Sequence, residues 1–311
     1  MKKNTKKKFI VLLLLVMLLA TGCTKTLKDS DKKVVTNPET GQSLTENILC
    51  RPTDEKTKEL YAQNGVDLES LPECSDFKIT SGGYDGLWSS IFVKPLAFVI
   101  LWFTKYVGSA ALALIITTIL IRLIVYPLTN KAAMQSELLK KAQPELEKLE
   151  KKYGNNPDEQ SMMRKSQEMT MIYKKYNINP FSGCLFSFIQ LPLLFAFLEA
   201  INRIPALYEE NFLFLQMGTT PWIGLLKLGN WVYIILIILI GLTTFLSFKL
   251  NATAPTTGAN DPMKSMSIIM TVMIVITGLF MPTALGIYWI ISNLFTIVQN
   301  LIVKRSRKVH G

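Results

Sequence analysis

Five long apolar stretches divide this 311-residue chain, near 108–128, 181–200, 229–248, 265–281 and 284–303. Each reaches or approaches the ~20 residues that a helix needs to cross a hydrocarbon core. The last two are read as separate spans. Ser265–Val303 is 39 residues without a charge, and as one helix it would be about 58 Å long. Met281-Pro282-Thr283 therefore predicts a tight turn between them. A sixth apolar run, Phe9–Ala20, is shorter and follows Lys2, Lys3, Lys6, Lys7 and Lys8. A basic start, an apolar middle and small residues before a cut are the layout of a signal sequence.

The polar stretches between these runs set the orientation. Trp88–Val107 is apolar and aromatic, but Lys94-Pro95 interrupts it and Lys105 closes it. It is read as an amphipathic helix at the outer interface, with Trp88, Trp102 and Tyr106 at headgroup depth. If 88–107 stays outside, residues 129–180 are cytoplasmic, and that loop carries ten Lys/Arg. The basic tail Lys304-Arg305-Ser306-Arg307-Lys308 also falls inside, while the other outer loops hold only Arg203 and Lys227. This distribution obeys the positive-inside rule, and a span at 88–107 would invert it. Within the cytoplasmic segment, Leu138, Ala142, Leu146, Leu149 and Tyr153 form one stripe at helical spacing, and Met162, Met169, Tyr173 and Tyr176 form another. Gly154-Asn155-Asn156-Pro157-Asp158 separates them, so the pattern predicts a helical hairpin over 130–178. Pro144 should kink its first arm or remove one hydrogen bond. Asn251–Pro262 reads as a loop.

Residues 24–87 are polar, with turn signals at Asn37-Pro38-Glu39-Thr40-Gly41 and Ser81-Gly82-Gly83-Tyr84-Asp85-Gly86. A short helix over Thr53–Asn64 would be capped by Thr53 or Asp54. The order of parts is then a signal peptide at 1–22, an external segment at 23–87, an interfacial helix at 88–107, a membrane core at 108–303 and a basic tail at 304–311.

Charge and cysteine usage refine this layout. The formal charge of +11 includes the five leader lysines. Most of the remaining excess lies in the segments read as cytoplasmic, so it serves membrane orientation and does not imply a nucleic-acid substrate. Leu19-Ala20-Thr21-Gly22-Cys23 resembles a bacterial lipoprotein box, in which Cys23 would carry the lipid. Cys50 and Cys74 lie in the external segment, where a disulfide can persist; a bridge and two free thiols are both open readings. Cys184 sits in an apolar run and reads as a packing residue.

The chemistry inventory turns away from catalysis. The one histidine is His310, so no Ser-His-Asp or Cys-His arrangement is available. The chain has no metal-ligand cluster and no phosphate-binding glycine loop, and it implies no cofactor. The lead is Arg122, inside Leu112-Ala-Leu-Ile-Ile-Thr-Thr-Ile-Leu-Ile-Arg122-Leu-Ile-Val-Tyr126. An arginine in hydrocarbon is costly and usually faces a protein interior or a wet cavity. Two readings stand on the residues alone. The side chain snorkels to the inner headgroups, or it faces a hydrated groove open to the cytoplasm. Uncharged polar groups in the other spans could line such a groove. For Ser and Thr a bond to the helix's own backbone is the simpler account. The amides Gln190 and Asn293 need partners.

Four pieces carry a family resemblance. They are Leu120-Ile-Arg122-Leu-Ile-Val-Tyr-Pro127-Leu-Thr129; Asn179-Pro180-Phe181-Ser-Gly183-Cys184; Ile189-Gln190-Leu-Pro192-Leu-Leu-Phe-Ala196; and Gly286-Ile-Tyr288-Trp289-Ile-Ile-Ser292-Asn293-Leu294-Phe295-Thr296-Ile-Val-Gln299. Together they resemble the YidC/Oxa/Alb membrane protein insertases in their Gram-positive lipoprotein form, over about residues 88–303. The resemblance implies an all-α membrane protein with five transmembrane helices around a hydrophilic groove open to the cytoplasm and to lipid. It places Arg122 in the groove and Gln190 and Trp289 lining or flanking it; Asn293 and Thr296, polar residues of the last apolar run, are candidates for the same groove. It implies nascent membrane proteins as clients, lipids as surroundings, and the Sec translocon and the ribosome as partners. The external insert with Cys50 and Cys74 has no counterpart in it. Two rivals remain at this stage, an anion-selective solute channel and a structural Sec accessory.

Overall fold

The computed structural model describes residues 24–153, 158–179, 182–250 and 262–309, and among these the side chains of 182–189, 262–267 and 307–309 are left aside. The leader, Cys23, the Gly154–Pro157 turn and most of the 251–262 loop lie outside the described residues. The architecture is all-α apart from one two-stranded hairpin and four isolated bridges. Helices α1 (Glu55–Gln63), α2 (Gly86–Val107), α3 (Ala110–Ile124), α4 (Tyr126–Tyr153), α5 (Glu159–Lys175) and α6 (Ser182–Arg203) precede the strands β1 (Asn211–Phe212) and β2 (Leu215–Gln216). Then come α7 (Pro221–Leu226), α8 (Val232–Leu250), α9 (Pro262–Phe280) and α10 (Thr283–Val309). By length and composition, three helices of the described residues can cross a membrane: α2, α8 and α10. A fourth span is reached if the bent pair α3 and α4 counts as one.

The chain divides into two compact units. The first holds residues up to Thr118 with Gln190–Ile237 and Gly278–Tyr288; the second holds Ile119–Ile189, Ile238–Thr277 and everything from Trp289 on.

In the first unit, the segment read as a polar linker is folded. Leu27, Val35, Leu44, Ile48 and Tyr61 are buried together with Tyr208. Its backbone is organised by the bridges Thr26 to Thr45, Lys28 to Val34 and Thr36 to Ser43. The apolar residues are too few and too irregularly spaced to show a helical or strand period, which is why they read as a linker. Helix α1 starts at Asp54, whose side chain accepts from Thr57 N, a standard N-cap. A disulfide joins Cys50 to Cys74, 24 residues apart. Glu209 ties α1 down by accepting from Thr53 N at 2.9 Å and Thr53 Oγ1 at 2.6 Å. Burial nevertheless pushes the Glu209 carboxyl above its usual range. Burial also raises Tyr61 to about 12 and Tyr208 well above a free tyrosine.

Helix α2 runs through Lys94-Pro95 where an interruption was expected. A π-helical turn, Ser89–Val93, precedes the proline, and Lys94 N bonds to Ser89 O. The wider turn accommodates the missing N–H of Pro95. The helix is long and apolar enough to span. Trp102 and Tyr106 are exposed, whereas Trp88 is buried and donates to Glu199 at 2.9 Å. Lys94 is buried as well, its ammonium held by the carbonyls of Ser81 and Gly83.

The β1–β2 turn is Leu213-Phe214, and both residues have positive φ, 47° and 67°. For residues with a Cβ this costs roughly 1 kcal/mol each. Close packing follows on α7. A Cβ added to Gly224 would lie 2.2 Å from Tyr233 Cε2, so only glycine lets α7 approach that ring.

In the second unit, α3 ends at Ile124, short of the expected 128, and α4 leaves it at 67°. Pro127 supplies the reason. Its ring would collide with the Leu123 carbonyl and it has no N–H to offer it. Pro127 sits instead in the first turn of α4, where neither defect matters. Pro144, by contrast, lies inside α4 without dividing it. Helix α5 begins at Asp158, which accepts from Ser161 N. Helices α4 and α5 pack antiparallel: Leu139, Ala142 and Leu146 of α4 are buried with Ile178, just past the end of α5, and Leu138, Met169, Ile172, Tyr173 and Tyr176 pack against them. Ion pairs flank this contact: Lys175 to Glu145, Lys165 to Glu150 and Lys152 to Glu168, at 2.5–2.7 Å. Met162, assigned to the buried stripe from its spacing, is 56% exposed; the packing surface on α5 begins later, at Met169. Helix α10 continues through the basic tail to Val309, so residues 304–309 extend the last helix.

Candidate functional site

The candidate site is built on stretches of three helices that bury mostly polar residues and expose apolar ones. On α10, Ser292, Thr296, Gln299 and Asn300 are buried, while Leu294, Val298, Leu301 and Ile302 are exposed. The buried set recurs at i, i+4, i+7 and i+8, one face of a helix. On α8, Thr243, Thr244 and Ser247 are buried, and Ile238, Leu239, Leu242, Phe245 and Leu246 are exposed. On α3, Thr117, Thr118 and Arg122 are buried, and Ile119, Leu120, Leu123 and Ile124 are exposed. A water-soluble protein has the reverse arrangement. This one suits an apolar solvent around a polar interior.

Arg122 is 4% exposed, so it does not project from the surface as a snorkelling arginine would. One turn further on, the Tyr126 ring meets the Phe295 ring edge-on at 6.4 Å. Thr129 Oγ1 and the Gln299 side-chain amide lie 3.0 Å apart by the nitrogen and 3.2 Å by the oxygen. Asn293 Nδ2 donates to Thr244 Oγ1 at 2.9 Å, joining α10 to α8. Interhelical amide bonds of this kind are the expected outcome for a lone amide in lipid. Thr296 donates to Ser292 O at 3.0 Å, and Asn300 Nδ2 to Thr296 O at 2.9 Å. Thr118 and Thr243 likewise bond to their own helices. The simpler account of the hydroxyls therefore holds for these three threonines. Among the described residues, the buried oxygens Ser292 Oγ and Asn300 Oδ1 have no hydrogen-bond partner.

Of the five residues assigned to the groove, Arg122, Trp289, Asn293 and Thr296 belong to the second unit. Trp289 and Asn293 are half-buried there. Gln190 belongs to the first unit, where its Nε2 lies 3.3 Å from the Tyr288 hydroxyl, and Tyr288 stacks on Phe197 at 4.2 Å. The Thr129–Gln299 pair and the Tyr126–Phe295 contact were not foreseen. Their signal was Tyr126-Pro127-Leu128-Thr129, which keeps the helical spacing of Arg122 across the bend. Among the described residues no group of three His, Cys, Asp or Glu could hold a metal ion.

Residues 102–310 match the family model described as 60Kd inner membrane protein. The chain belongs to this family, that of the YidC insertases. It is 36% identical over 224 residues to membrane protein insertase YidC 2 of Listeria innocua, covering 72% of this chain and 74% of that one. Membrane protein insertase MisCA of Bacillus subtilis is 34% identical over 218 residues, covering 70% and 79%. The solved structure of an active YidC insertase with its first transmembrane domain resolved is similar over 71% of this chain and 48% of its own. At TM-score 0.43 and 19% identity, that likeness is too remote to carry weight. The family assignment makes this chain a multi-pass membrane protein, and the exposed apolar faces of α3, α8 and α10 accord with that.

Proposed function

We propose that this protein is a membrane protein insertase and chaperone. It receives hydrophobic segments of nascent membrane proteins in a hydrated groove centred on Arg122 and releases them sideways into the bilayer. The observation that supports this best is the polar buried face of α10, Ser292, Thr296, Gln299 and Asn300, opposite an apolar exposed face. Buried oxygens such as those of Ser292 and Asn300 are normally met by water, and water in the inner half of the bilayer lowers the cost of moving a client's polar residues partway across. Trp289 offers apolar surface and a polar edge at the same helix. No nucleotide or covalent step is needed. Partitioning of the client's apolar segment into lipid supplies the energy.

In this reading the core has five spans, α3, α6, α8, α9 and α10. The α4–α5 hairpin and the basic end of α10 face the cytoplasm, and α2 lies along the outer surface. Cys23 carries a lipid outside. The Sec translocon and the ribosome are partners, the hairpin being the surface that meets them.

The test is complementation of an insertase-depleted strain with Arg122→Ala. Insertion of several small clients should fall while the variant accumulates at the normal level, and Arg122→Lys should restore part of it. Photocrosslinking side chains at 122, 289 and 293 should form adducts with a nascent membrane protein. Full insertion by Arg122→Ala across clients would sink the groove charge, and substrate-dependent flux in liposomes without client adducts would favour a solute channel.

A further inference from the structure

The β1–β2 turn has the wrong residues for a hairpin tip in water. Its two central residues have positive φ, the backbone of a two-residue type I′ turn, which Asn-Gly satisfies best. Here the pair is Leu213-Phe214, 69% and 85% exposed. The tip therefore joins backbone strain to exposed apolar surface, a combination with no benefit in water.

The surroundings of the tip indicate what covers it. Asn230 Nδ2 donates to Phe214 O at 2.6 Å, and the Gln216 N–H donates to the Tyr233 hydroxyl at 3.0 Å. These bonds hold the hairpin beside the first turn of α8, a helix long and apolar enough to cross the membrane. Trp231, immediately before that helix, is 76% exposed, and Leu226 and Leu228 are exposed just upstream. In the same unit the ring of Trp222 lies 5.6 Å from that of Phe280, the last residue of α9. Aromatic side chains where helices enter and leave a bilayer mark headgroup depth. The tip is thus tied to the level at which a bilayer begins.

We propose that Leu213 and Phe214 form a lipid-contacting tip that inserts into the bilayer interface beside the start of α8. The strained turn aims both side chains into the membrane, and the bond from Asn230 fixes their depth relative to Trp231. This rests on the chain being a membrane protein and is independent of the insertase reading.

The full chain is reconstituted in vesicles of phosphatidylethanolamine and phosphatidylglycerol. A spin label is attached through a genetically encoded ketone side chain at position 214, 231 or 84. Tyr84 is exposed on a loop of the same unit and serves as the water reference. Oxygen should relax the label at 214 and a water-soluble nickel chelate should not, as at 231 and opposite to 84. Chelate access equal to that at 84 would overturn the proposal by placing the tip in water. Shielding from both reagents would overturn it in favour of a protein partner covering the tip. A second arm uses Leu213→Asn with Phe214→Gly, which gives the turn the pair it prefers and should keep the hairpin folded. A label at position 212 should then become severalfold more accessible to the chelate, with 231 unchanged. No change at 212 would mean that the tip does not anchor the hairpin.

Discussion

Each unit of this protein buries an arginine, and the two are embedded in different chemistry. Arg203, in the first unit, is 3% exposed and surrounded by acceptors. Its guanidinium bonds to Asn47 O at 2.6 Å, Ser89 Oγ at 2.9 Å, Glu199 Oε1 at 3.0 Å and Asp85 Oδ2 at 2.6 Å. Those partners come from residues 24–85, the start of α2 and α6, so one side chain fastens three parts of the unit together. Arg122, in the second unit, is buried in a region whose other buried polar groups, among the described residues, are hydroxyls and amides. A cluster of opposite charges with four defined acceptors holds a fold. In the proposed insertase reading, a cation among hydroxyls and amides serves passing polypeptide and water. Burial alone does not separate a structural arginine from a functional one; the groups around it do.

The sharpest way to break this comparison is to remove each arginine. Arg203→Ala should cost about 3–5 kcal/mol, because it leaves the Glu199 and Asp85 carboxylates without their partner. Membrane accumulation and thermal unfolding in detergent would report the loss. Arg122→Ala should lose client insertion while unfolding at a nearly unchanged temperature. Similar destabilisation in both variants would abolish the distinction.

The next effect concerns the N-terminal segment of the first unit, residues 24–85. Cys50→Ser with Cys74→Ser opens a bridge between residues 24 apart, worth about 3 kcal/mol of unfolded-state restriction. Limited proteolysis of residues 24–85 should speed up, with the α4–α5 hairpin unaffected. Smaller again is Gly224→Ala, which drives a methyl into the Tyr233 ring and should cost about 1–3 kcal/mol. A fall in melting temperature checks it, and Gly65→Ala is a contrast: positive φ strains it, but nothing crowds its Cβ.

The mildest test addresses the second unit. Hydrogen bonds from Lys175 and Tyr176 hold the Glu145 carboxyl below its usual range, and those from Lys152 and Tyr153 do the same for Glu168. Depressed carboxylates stabilise fully above their ordinary value near 4.5, and the gain is lost as pH falls through the lowered folded values. The α4–α5 hairpin should therefore exchange its amide hydrogens faster on acidification below that point. These pairs are at the surface, so the effect is small and should shrink in high salt. The disulfide-bearing segment should show no such dependence from these groups.

Much of the fold was legible because membrane helices obey long-period rules. The runs at 229–248 and 284–303 became α8 and α10, and Pro282 does separate α9 from α10. The α4 stripe was legible from its spacing. The segment 24–85 was not, because Leu27, Val35, Leu44, Ile48 and Tyr61 meet without periodicity and need Tyr208, far along the chain, to complete their core. The end of α3 was misjudged by four residues, since hydropathy continues through Pro127 while the backbone cannot. On the site, Arg122 stood out as a charge in an apolar run, and Gln190 and Asn293 as amides that needed partners. Which partners they took, Tyr288 and Thr244, depends on helix rotation, which composition does not encode.

By itself the sequence determined the solvent of this protein, the approximate places of its apolar helices and the residue that costs most to bury. Those follow from transfer free energies and helix length, which are local properties. The tertiary structure alone decided which face of each helix is inside, that Arg203 fastens three parts of its unit together, and that residues 24–85 form a folded body. Those depend on which side chains meet across long stretches of chain, and a polar residue's role is set by the groups that surround it once it is buried.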